Sequence, residues 1–545
     1  MDQKMKALPR SRTPSSGVSR REFLALGSVG LVMASGFGSQ ARAQGTGGFD
    51  YYISTTGSDA NAGTLASPWA ITSLMAAAQN SHNVANFNAI SGKRLGLLPG
   101  TYSVGTYMQS DSSTGALQIP GGNSSTSTYV ASCDSSGNYS ARTATITALN
   151  GGVYGGFAGY SHNGPIIANK GAGYNSGYLT LDGLIISGFS YKGVRIGGNS
   201  SGDGPANVSG VIVQNCVFTG GAHNAGDATD NTSALWIDYT AGAVVTNNYF
   251  YNNAGFGPGS ADHLNGIICW GCQGSQISFN TLINSGNIYG KEIANQGNNI
   301  FNNYVDCSMY TAQSTANGIQ DFTGANTSGL TQTTTIHHNI FLSSGFGLGG
   351  ATLSQNNGWT TPVKFYNNTI VMVQIGGLMV ESAVWMYSQI TRNVTFYNNI
   401  LAGVMSGDYG AIRFNPNGPT LWDYNLFPIA MVWKTVSDSS GSSQIGGYTS
   451  LAAVQAAVSG AGGIGTFDTH SVQSSTPGFT GTGTLAAKYQ LANGSAASGK
   501  GKVGGVSSGA SVNIGAWDGA VSQIGCQFGT AGTVLPDPPS NVTVT

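Results

Sequence analysis

The chain has 545 residues, with 21 Lys or Arg, 22 Asp or Glu and a formal net charge of −1. Charged residues make up only 8% of the chain and 83 residues are glycine, whereas an ordinary soluble domain has about 25% charged residues and about 7% glycine. This composition disfavours a helical enzyme, a coiled coil and a basic nucleic-acid binder. Because 40% of the residues are apolar, the chain can bury a large core, and wholesale disorder is disfavoured as well.

The amino terminus has the features of an export signal. Residues Ser19 to Leu24 read SRREFL, a twin-arginine pattern, and a short apolar stretch leads to Ala41-Arg42-Ala43, a small-x-small cleavage site. We therefore predict a signal peptide over residues 1–43, export by the twin-arginine route and a periplasmic or secreted protein. A membrane anchor is the weaker alternative, because glycine and serine interrupt the apolar run.

Removal of this leader changes the charge balance. The leader holds seven Lys or Arg against two acidic residues, which leaves 14 basic and 20 acidic residues in the rest of the chain. The predicted mature protein is therefore acidic overall. Its later segments contain no run of roughly 18 apolar residues, so we expect no membrane span there.

Short segments of alternating polarity recur through the chain, each centred on an asparagine and separated by 23 to 36 residues. The aligned residues are Asn215, Asn248, Asn280, Asn303, Asn339, Asn368, Asn399 and Asn425, with Gly183 in the same register one repeat earlier. The segments are rich in β-branched and aromatic residues and are bounded by Gly, Asn and Ser, which predicts strands. Strands that recur with variable insertions indicate a solenoid, and stacked amides about 4.8 Å apart can hydrogen-bond as a ladder.

A second strand precedes many of these asparagines by some 12 to 20 residues, in segments such as GVRIGG, ALWIDY, GIICWG, LMVESA and AIRFNP. Strand alternation turns their apolar residues inward and places the intervening residues on one outer face. Those outer residues are Arg195, Trp236, Asp238, Met379, Glu381 and Arg413.

The repeat, together with three further stretches, resembles the right-handed parallel β-helix proteins of the pectin-lyase-like superfamily. The stretches are YYISTTGSDANAGTLASPWAITSL, KRLGLLPGTYSV and YQLANGSAASGKGKVGGVSSGASVNIGAWDG. The resemblance covers residues 50 to about 520 and implies an all-β, right-handed parallel β-helix with short capping helices, one of them at Ser450 to Gly460. It does not specify a reaction, since this fold carries many.

The predicted organisation is a cap with the first coil over residues 44–110, the parallel β-helix over 111–430, carboxy-terminal coils and a cap over 431–530 and a Pro-rich tail over 531–545.

The chain has six cysteines, for which we expect one buried disulfide or several small apolar thiols. A metal site is disfavoured because the single CxxC, Cys269 to Cys272, has no second such pair.

Ionisable residues concentrate between Gly259 and Asn299. Asp262 and His263 precede the strand GIICWG, and Lys291 with Glu292 is expected to open the equivalent strand of the next coil. Lyases that cleave acidic polysaccharides need a base and a positive charge or Ca²⁺. The candidate catalytic residues are Lys291, His263, Arg195 and Arg413. The candidate Ca²⁺ ligands are Asp238, Asp262, Glu292 and Asp321.

The resemblance implies a similar site. In the β-helix pectate lyases an Asp-rich turn binds Ca²⁺ and a Lys or Arg on a nearby coil is the base. Asp262-His263 matches the acidic pair only in part, because its second residue is histidine. The candidate substrate-binding residues are Trp236, Trp270, Tyr289 and Glu381, the aromatic ones because sugar rings stack on aromatic faces.

Structural interpretations compete at each position. Lys291 can be a solvated lysine at a strand end, His263 a loop histidine, and Asp238, Glu381 and Arg413 members of a structural ion pair. His337-His338 beside the asparagines is expected to stack or cap.

The function that the sequence favours is an exported enzyme, expected to be monomeric, that cleaves a uronate-containing polysaccharide by β-elimination. The alternatives are a glycoside hydrolase, which needs two carboxylates about 5 to 9.5 Å apart, and a non-catalytic adhesion protein.

Overall fold

We analysed the protein as a computed structural model. The chain separates into two units, Met1–Gly48 and Phe49–Thr545, and Gly48 is the one described residue of the first. The residues that the structure describes are 48–75, 84–107, 115–150, 153–154, 166–169, 177–189, 192–198, 206–221, 232–253, 264–291, 295–307, 317–320, 332–343, 345–348, 362–372, 384–386, 394–403, 412–414, 421–429, 431–436, 444–461, 466–482, 485–506, 511–519 and 521–526. The predicted leader lies outside these residues, so its assignment stays a prediction, as do the predicted domain boundaries.

Three long sheets make up the second unit, and we number them in the order in which each coil visits them. Sheet 1 has twelve parallel strands. In stacking order they are Tyr51–Ile53, Arg94–Leu97, Thr128–Ser132, Leu179–Asp182, Ile212–Gln214, Val244–Thr246, Gln276–Ser278, Asn299–Phe301, Thr334–His337, Val363–Tyr366, Val394–Tyr397 and Leu421–Asp423.

Sheet 2 also has twelve parallel strands. They are Gly100–Ser103, Ala144–Thr147, Ile185–Ser187, Val217–Thr219, Tyr249–Tyr251, Thr281–Ile283, Tyr304–Asp306, Ile340–Ser343, Thr369–Met372, Ile400–Gly403, Leu426–Pro428 and Val472–Ser474.

Sheet 3 has eleven strands, all parallel except the last, which pairs antiparallel. They are Ile167–Asn169, Lys192–Gly197, Thr232–Asp238, Leu264–Trp270, Asn287–Lys291, Asn317–Gln320, Gly345–Leu348, Val384–Met386, Ile412–Phe414, Trp433–Val436 and Gln444–Tyr448. A chain that visits the same three sheets once per turn is a parallel β-helix, so the predicted fold class is confirmed.

Minor elements accompany the three sheets. Three two-stranded pairs join Leu149–Asn150 to Val153–Tyr154, Val208–Ser209 to Thr240–Ala241 and Gly501–Lys502 to Ser511–Val512. Short 3-10 turns lie at Ile71–Leu74, Gly105–Tyr107, Leu485–Tyr489 and Val503–Gly505. The two α-helices among the described residues are α1, Val84–Ala89, and α2, Leu451–Gly460. No helix among the described residues has the length and apolarity needed to cross a membrane.

The interior of the coils is apolar and aligned from one coil to the next. Alternation turns every second residue of a strand inward, so that like side chains stack, as Phe218 does on Phe250 with ring centroids 4.7 Å apart. Phe365 and Phe396 stack in the same way at 5.4 Å. A coil cannot bury its apolar face alone, and stacking is what closes the core.

The corner between sheets 1 and 2 holds the predicted asparagine ladder. Each side-chain amide donates to the side-chain oxygen of the next asparagine and to a backbone carbonyl of the preceding coil. For Asn303, Nδ2 donates to Asn339 Oδ1 and to Ile277 O, both at 2.9 Å. Its Oδ1 accepts from both the backbone N and Nδ2 of Asn280 at 3.0 Å. The ladder runs through Asn248, Asn280, Asn303, Asn339, Asn368, Asn399 and Asn425.

One predicted member of the ladder is misplaced. Asn215 has φ 56° and pairs with Asn247, whose Nδ2 donates to Asn215 Oδ1 at 2.7 Å. The ladder position of that coil belongs to Cys216, whose backbone N donates to Asn248 Oδ1. Asn215 and Gly183 therefore occupy a left-handed position one residue earlier, which asparagine and glycine both tolerate.

The ladder ends on a buried acid, Asp468. Asn425 Nδ2 and Ser471 Oγ donate to Asp468 Oδ1 at 2.9 and 2.6 Å, while its Oδ2 has no hydrogen-bond partner. Burial raises the pKa of Asp468 to about 7, against the hydrogen bonds from Ser471 and Asn425, which lower it. Helix α2 lies beside this end, where Gln455 donates to Asp468 O, and Ser450 caps α2 by accepting from Ala453 N.

A carboxy-terminal segment, residues 485–526 where described, packs against sheet 2 and its corner with sheet 1. Trp517 and Ile524 join a cluster with Tyr304 and Ile340. Along the same path Gly525 N donates to Asn302 O. The segment therefore runs back over coils that precede it by up to about 245 residues, as the bond from Cys526 N to Thr281 Oγ1 shows.

The histidines next to the ladder stack, as predicted. His337 lies between Phe301 and Tyr366, with ring centroids 5.2 and 4.9 Å away. Burial, and then the charge of His338, lower the pKa of His337 to about 3. His338 Nε2 contacts Asp518 Oδ2 of the carboxy-terminal segment at 2.8 Å, so this histidine also fastens that segment.

All six cysteines are free, and five of them are buried. Of the two alternatives given by the sequence, the structure shows small thiols rather than a disulfide. The pKa of Cys269 lies well above its usual value, first because its thiol is hydrogen-bonded to Cys272 and then because it is buried. A raised pKa disfavours the reactive thiolate.

Candidate functional site

The three sheets differ in the charges that their strands carry. The strands of sheet 2 contain one acid, Asp306, and no Lys or Arg. Sheet 1 has two basic and two acidic strand residues. The strands of sheet 3 contain a single acid, Asp238, and five basic residues, which are Lys192, Arg195, Lys291, Arg413 and Lys434. Sheet 3 therefore contains five of the seven Lys and Arg residues found in the strands of the three sheets.

Backbone register aligns residues of sheet 3 in two rows. The long row takes one residue from each successive strand, and its members are Arg195, Trp236, Ile268, Tyr289, Gln320, Gly347, Trp385, Arg413 and Lys434. The short row lies two residues further along each strand and consists of Gly197, Asp238, Trp270 and Lys291. Residues far apart in sequence thus become neighbours in the sheet.

Asp238 is the partner of Arg195. Arg195 Nε donates to Asp238 Oδ2 at 2.7 Å and Nη2 lies 3.5 Å from Oδ1, which also accepts from Trp236 Nε1 at 2.9 Å. The exposed fractions are 8% for Arg195 and 1% for Asp238. Both carboxylate oxygens accept hydrogen bonds, so Asp238 holds Arg195 in this structure, and its assignment as a Ca²⁺ ligand stays a prediction.

Gly197 permits this pair to form at close range. It lies opposite Asp238 in the register, and a Cβ built on Gly197 would meet the Asp238 backbone oxygen at 2.0 Å. Its φ of +142° also disfavours other residues. A side chain here would push the two strands apart at the ion pair.

Trp236 is packed between cations. Lys192 Nζ and Arg195 Cζ lie 4.2 and 4.7 Å from the Trp236 ring, and Trp270 stacks on it with ring centroids 5.3 Å apart. Such cation–π contacts stabilise charge in a desolvated site. Trp236 is only 4% exposed, so its ring supports Lys192 and Arg195 and is not the open sugar platform that the sequence suggested.

Trp270 is half-buried, and its indole N–H donates to Tyr239 Oη at 3.1 Å. Among the aromatic residues of sheet 3 whose side chains the structure describes, Trp270 retains exposed surface for a ligand.

Lys192 was missed by the sequence reasoning. It is 1% exposed and begins the strand that carries Arg195. The available signal was its position next to the predicted strand GVRIGG in a chain with few lysines.

Lys291 ends its strand rather than opening one. The strand is Asn287–Lys291, and its register pairs Lys291 with Trp270 and Tyr289 with Ile268. The segment NIYGK pairs with the preceding strand because Ile288 continues the inward row of Ile267. Lys291 therefore belongs to the short row, two strands from Asp238.

The remaining predicted residues separate into two groups. Arg413 lies in the long row, but seven strands from Arg195, which is about 34 Å at a spacing of about 4.8 Å. The two arginines thus cannot contact the same sugar. The predicted residues that fall outside the described ranges are His263, Asp262, Glu292, Asp321 and Glu381.

No three His, Cys, Asp or Glu side chains among the described residues are grouped so as to hold a metal ion. Asp238 is the one predicted Ca²⁺ ligand that lies in the described part of the chain. Both of its carboxylate oxygens already accept hydrogen bonds. The described part of the site therefore does not fit Ca²⁺.

Comparison with known proteins identifies similar folds. No family model and no curated protein matches the chain. A solved structure described as a rhamnogalacturonan lyase is 12% identical, with a TM-score of 0.38, and the match covers 66% of this chain and 83% of that one. A second, described as XylC in complex with xylose, is 12% identical with a TM-score of 0.35, over 66% of this chain and 76% of that one. The fold itself, a parallel β-helix, is established by the three parallel sheets.

Proposed function

We propose that the protein is a lyase that binds an acidic polysaccharide along the outer face of sheet 3 and cleaves it by β-elimination at a uronate residue. The observation that supports this proposal is the composition of the sheet 3 strands: they contain five basic residues and one acid, Asp238, which Arg195 already engages. The predicted mature chain is acidic overall, so its cations are concentrated where a polyanion would bind.

Lys291 is the proposed base. Its backbone is in register with Trp270, a half-buried aromatic residue, and lies two strands from Asp238, the partner of Arg195. In β-elimination the base removes the proton from the carbon next to the uronate carboxylate. The electron pair forms a carbon–carbon double bond, the glycosidic carbon–oxygen bond breaks and the leaving oxygen takes a proton. A lysine can act in this way where neighbouring cations or desolvation lower its pKa.

Arg195 is the proposed source of positive charge, and the buried Lys192 packs on the same Trp236 ring that supports it. The carboxylate of the uronate gains negative charge as the proton leaves, and fixed cations in a water-poor site stabilise that charge most effectively. Asp238 and Trp236 hold Arg195 in place, so its charge is positioned before substrate arrives. Because the described residues do not fit Ca²⁺, we assign no step to a metal. His263 is the second candidate base and lies outside the described residues.

A glycoside hydrolase is less well supported. Hydrolysis needs two carboxylates at a suitable distance, and the strands of sheet 3 supply Asp238 alone.

The test is to incubate the protein with pectate, alginate and a glucuronate polymer and to follow the ultraviolet absorbance of an unsaturated uronate, with and without chelator. The proposal expects that absorbance with at least one polymer. New reducing ends without it would show hydrolysis, and retained binding with neither signal would show an adhesion protein.

A further inference from the structure

Trp270 ends the fourth strand of sheet 3 and keeps part of its indole exposed. The ring packs on Trp236, with the ring centroids 5.3 Å apart and the ring planes inclined by 28°. The indole N–H is used inside the protein, because it donates to Tyr239 Oη at 3.1 Å. Since an indole has one donor and no acceptor, a ligand can meet this side chain only through the carbon surface of the ring.

Tyr239 contacts the end of this strand in three ways. Its hydroxyl accepts the indole N–H, and its backbone N donates to Trp270 O at 2.7 Å. Its ring lies against Gly271, the residue after Trp270, where a Cβ would be 2.5 Å from the tyrosine ring. Tyr239 is itself only 8% exposed. This one residue therefore holds both the backbone and the indole of Trp270.

The backbone conformation of Tyr239 is unfavourable for its residue type. Its φ is 38°, in the left-handed region that bulky side chains rarely adopt. Asp238 and Trp270 are in register, so the same place in the next coil belongs to Gly271, which has φ 65° and adopts this region readily. Backbone strain of this kind persists where surrounding contacts hold it, and it is concentrated at functional sites. The contacts of Tyr239 indicate that the constraint here is the position of Trp270.

We propose that Tyr239 is a positioning residue that presents Trp270 as a platform for the apolar C–H face of a pyranose ring. The inference rests on the proposed function, because it assigns this platform to the same substrate site on sheet 3. A sugar ring carries C–H groups on its faces and hydroxyls at its edge, so its face packs on an aromatic surface. This contact responds to the shape of the sugar ring and not to its charge.

Ordering of the indole before the ligand arrives has a consequence for affinity. A ring held by Tyr239 loses little conformational freedom when a sugar packs on it. Without the hydroxyl, the ring has to be ordered during binding, and that cost lowers affinity by about three- to tenfold. The cost no longer matters once the site is saturated, so the rate of turnover at saturation is unchanged.

The first experiment compares Tyr239→Phe with the parent protein on pectate, alginate and the glucuronate polymer. The substitution keeps the ring against Gly271 and removes only the hydroxyl. On the polymer that is cleaved, KM should rise by about three- to tenfold while kcat stays within about twofold of the parent value. The matched control is Tyr51→Phe in the first strand of sheet 1, since Tyr51 also stacks on a tryptophan, Trp69, at 4.3 Å. It should leave KM and kcat unchanged.

The second experiment follows binding through tryptophan fluorescence in the first seconds after mixing with the same polymers. We expect a change in the parent protein that is absent in Trp270→Phe, which keeps a flat ring but no indole. In Tyr239→Phe the change should need about three- to tenfold more polymer.

The outcomes separate this inference from the lyase proposal. Equal affinity of the parent and Tyr239→Phe, a fluorescence change that persists in Trp270→Phe, or a fall in kcat at unchanged KM overturns the role of Tyr239 and leaves the lyase proposal intact. Weaker binding by both variants without any unsaturated product supports the platform and refutes the lyase proposal. A parent protein that binds none of the polymers refutes both.

Discussion

The asparagine ladder and the outer face of sheet 3 are both built by stacking coils, yet only the ladder repeats. In the ladder one residue type makes the same pair of contacts from Asn248 to Asn425. On the outer face of sheet 3 the residue at a given register position changes at every coil, from Arg195 to Trp236 to Ile268. Stability in this fold thus comes from periodicity, while a site for chemistry arises where the repeat is broken.

The comparison leads to opposite expectations for substitutions in the two regions. Changes on the sheet 3 face should affect activity and leave the free energy of unfolding nearly unchanged. Changes in the ladder should lower the free energy of unfolding and leave the activity of the folded protein unchanged.

The largest effect is expected for Lys291→Ala. Loss of a general base typically lowers the rate by about 10²- to 10⁴-fold, so kcat on the best acidic polymer should fall by at least about a hundredfold. The free energy of unfolding, measured by urea titration, should change by less than about 0.5 kcal/mol. Lys364→Ala on sheet 1 is the matched control, and retained turnover in Lys291→Ala would remove Lys291 from the mechanism.

Asn303→Ala should lower the free energy of unfolding and leave the activity of the folded protein unchanged. The substitution removes five side-chain hydrogen bonds, three donated to Asn339, Ile277 and Phe301 and two accepted from Asn280, and leaves buried groups unsatisfied. We expect a loss of roughly 4 kcal/mol in the free energy of unfolding. The control is Asn493→Ala in an exposed turn, which should cost less than about 0.5 kcal/mol. A loss of similar size in both variants would contradict the special role of the ladder.

The same contrast explains what the sequence could predict. Eight repeats of a strand pattern determine the coil and the ladder, because stacking forces equivalent residues into equivalent places. The error at Asn215 arose where a coil has one asparagine instead of two, since the left-handed position next to the ladder also favours asparagine. The pairs Asn247-Asn248 and Asn302-Asn303 contain the information needed to separate the two positions.

The site was less predictable because its contacts do not repeat. Alternation correctly placed Arg195, Trp236 and Asp238 on one face. It could not show that Asp238 pairs with Arg195 across adjacent strands, or that Trp236 is buried between Lys192 and Arg195. Such details depend on which side chains meet at one coil, and a single sequence has no second copy of that coil for comparison.

Asp468→Asn tests the buried acid at the end of the ladder. The pKa of Asp468 is raised from 3.8 to about 7, so the folded protein binds a proton that the unfolded chain has released between these pH values. The stability tied to that proton is complete below about pH 4 and is lost as the pH rises to about 7. Asp468→Asn has no such proton to lose, so its stability should not fall in this way as the pH rises. From pH 4 to pH 8 the free energy of unfolding of the variant should therefore rise relative to that of the parent by roughly 3 kcal/mol. A pH-independent difference would show that Asp468 does not titrate as described.

The smallest effect concerns the contact between the ladder side of the coils and the carboxy-terminal segment. Neutral His337 donates through Nε2 to Asn299 Oδ1, 3.0 Å away, so its Nδ1 must accept from His338 Nδ1 at 2.6 Å. His338 Nε2 faces Asp518 Oδ2 at 2.8 Å, and both ring nitrogens of His338 therefore carry protons when these bonds form. A double-mutant cycle of His338→Gln and Asp518→Asn should give a coupling of about 1 kcal/mol in the free energy of unfolding. A coupling near zero would mean that apolar packing by Trp517 and Ile524 alone holds the segment in place.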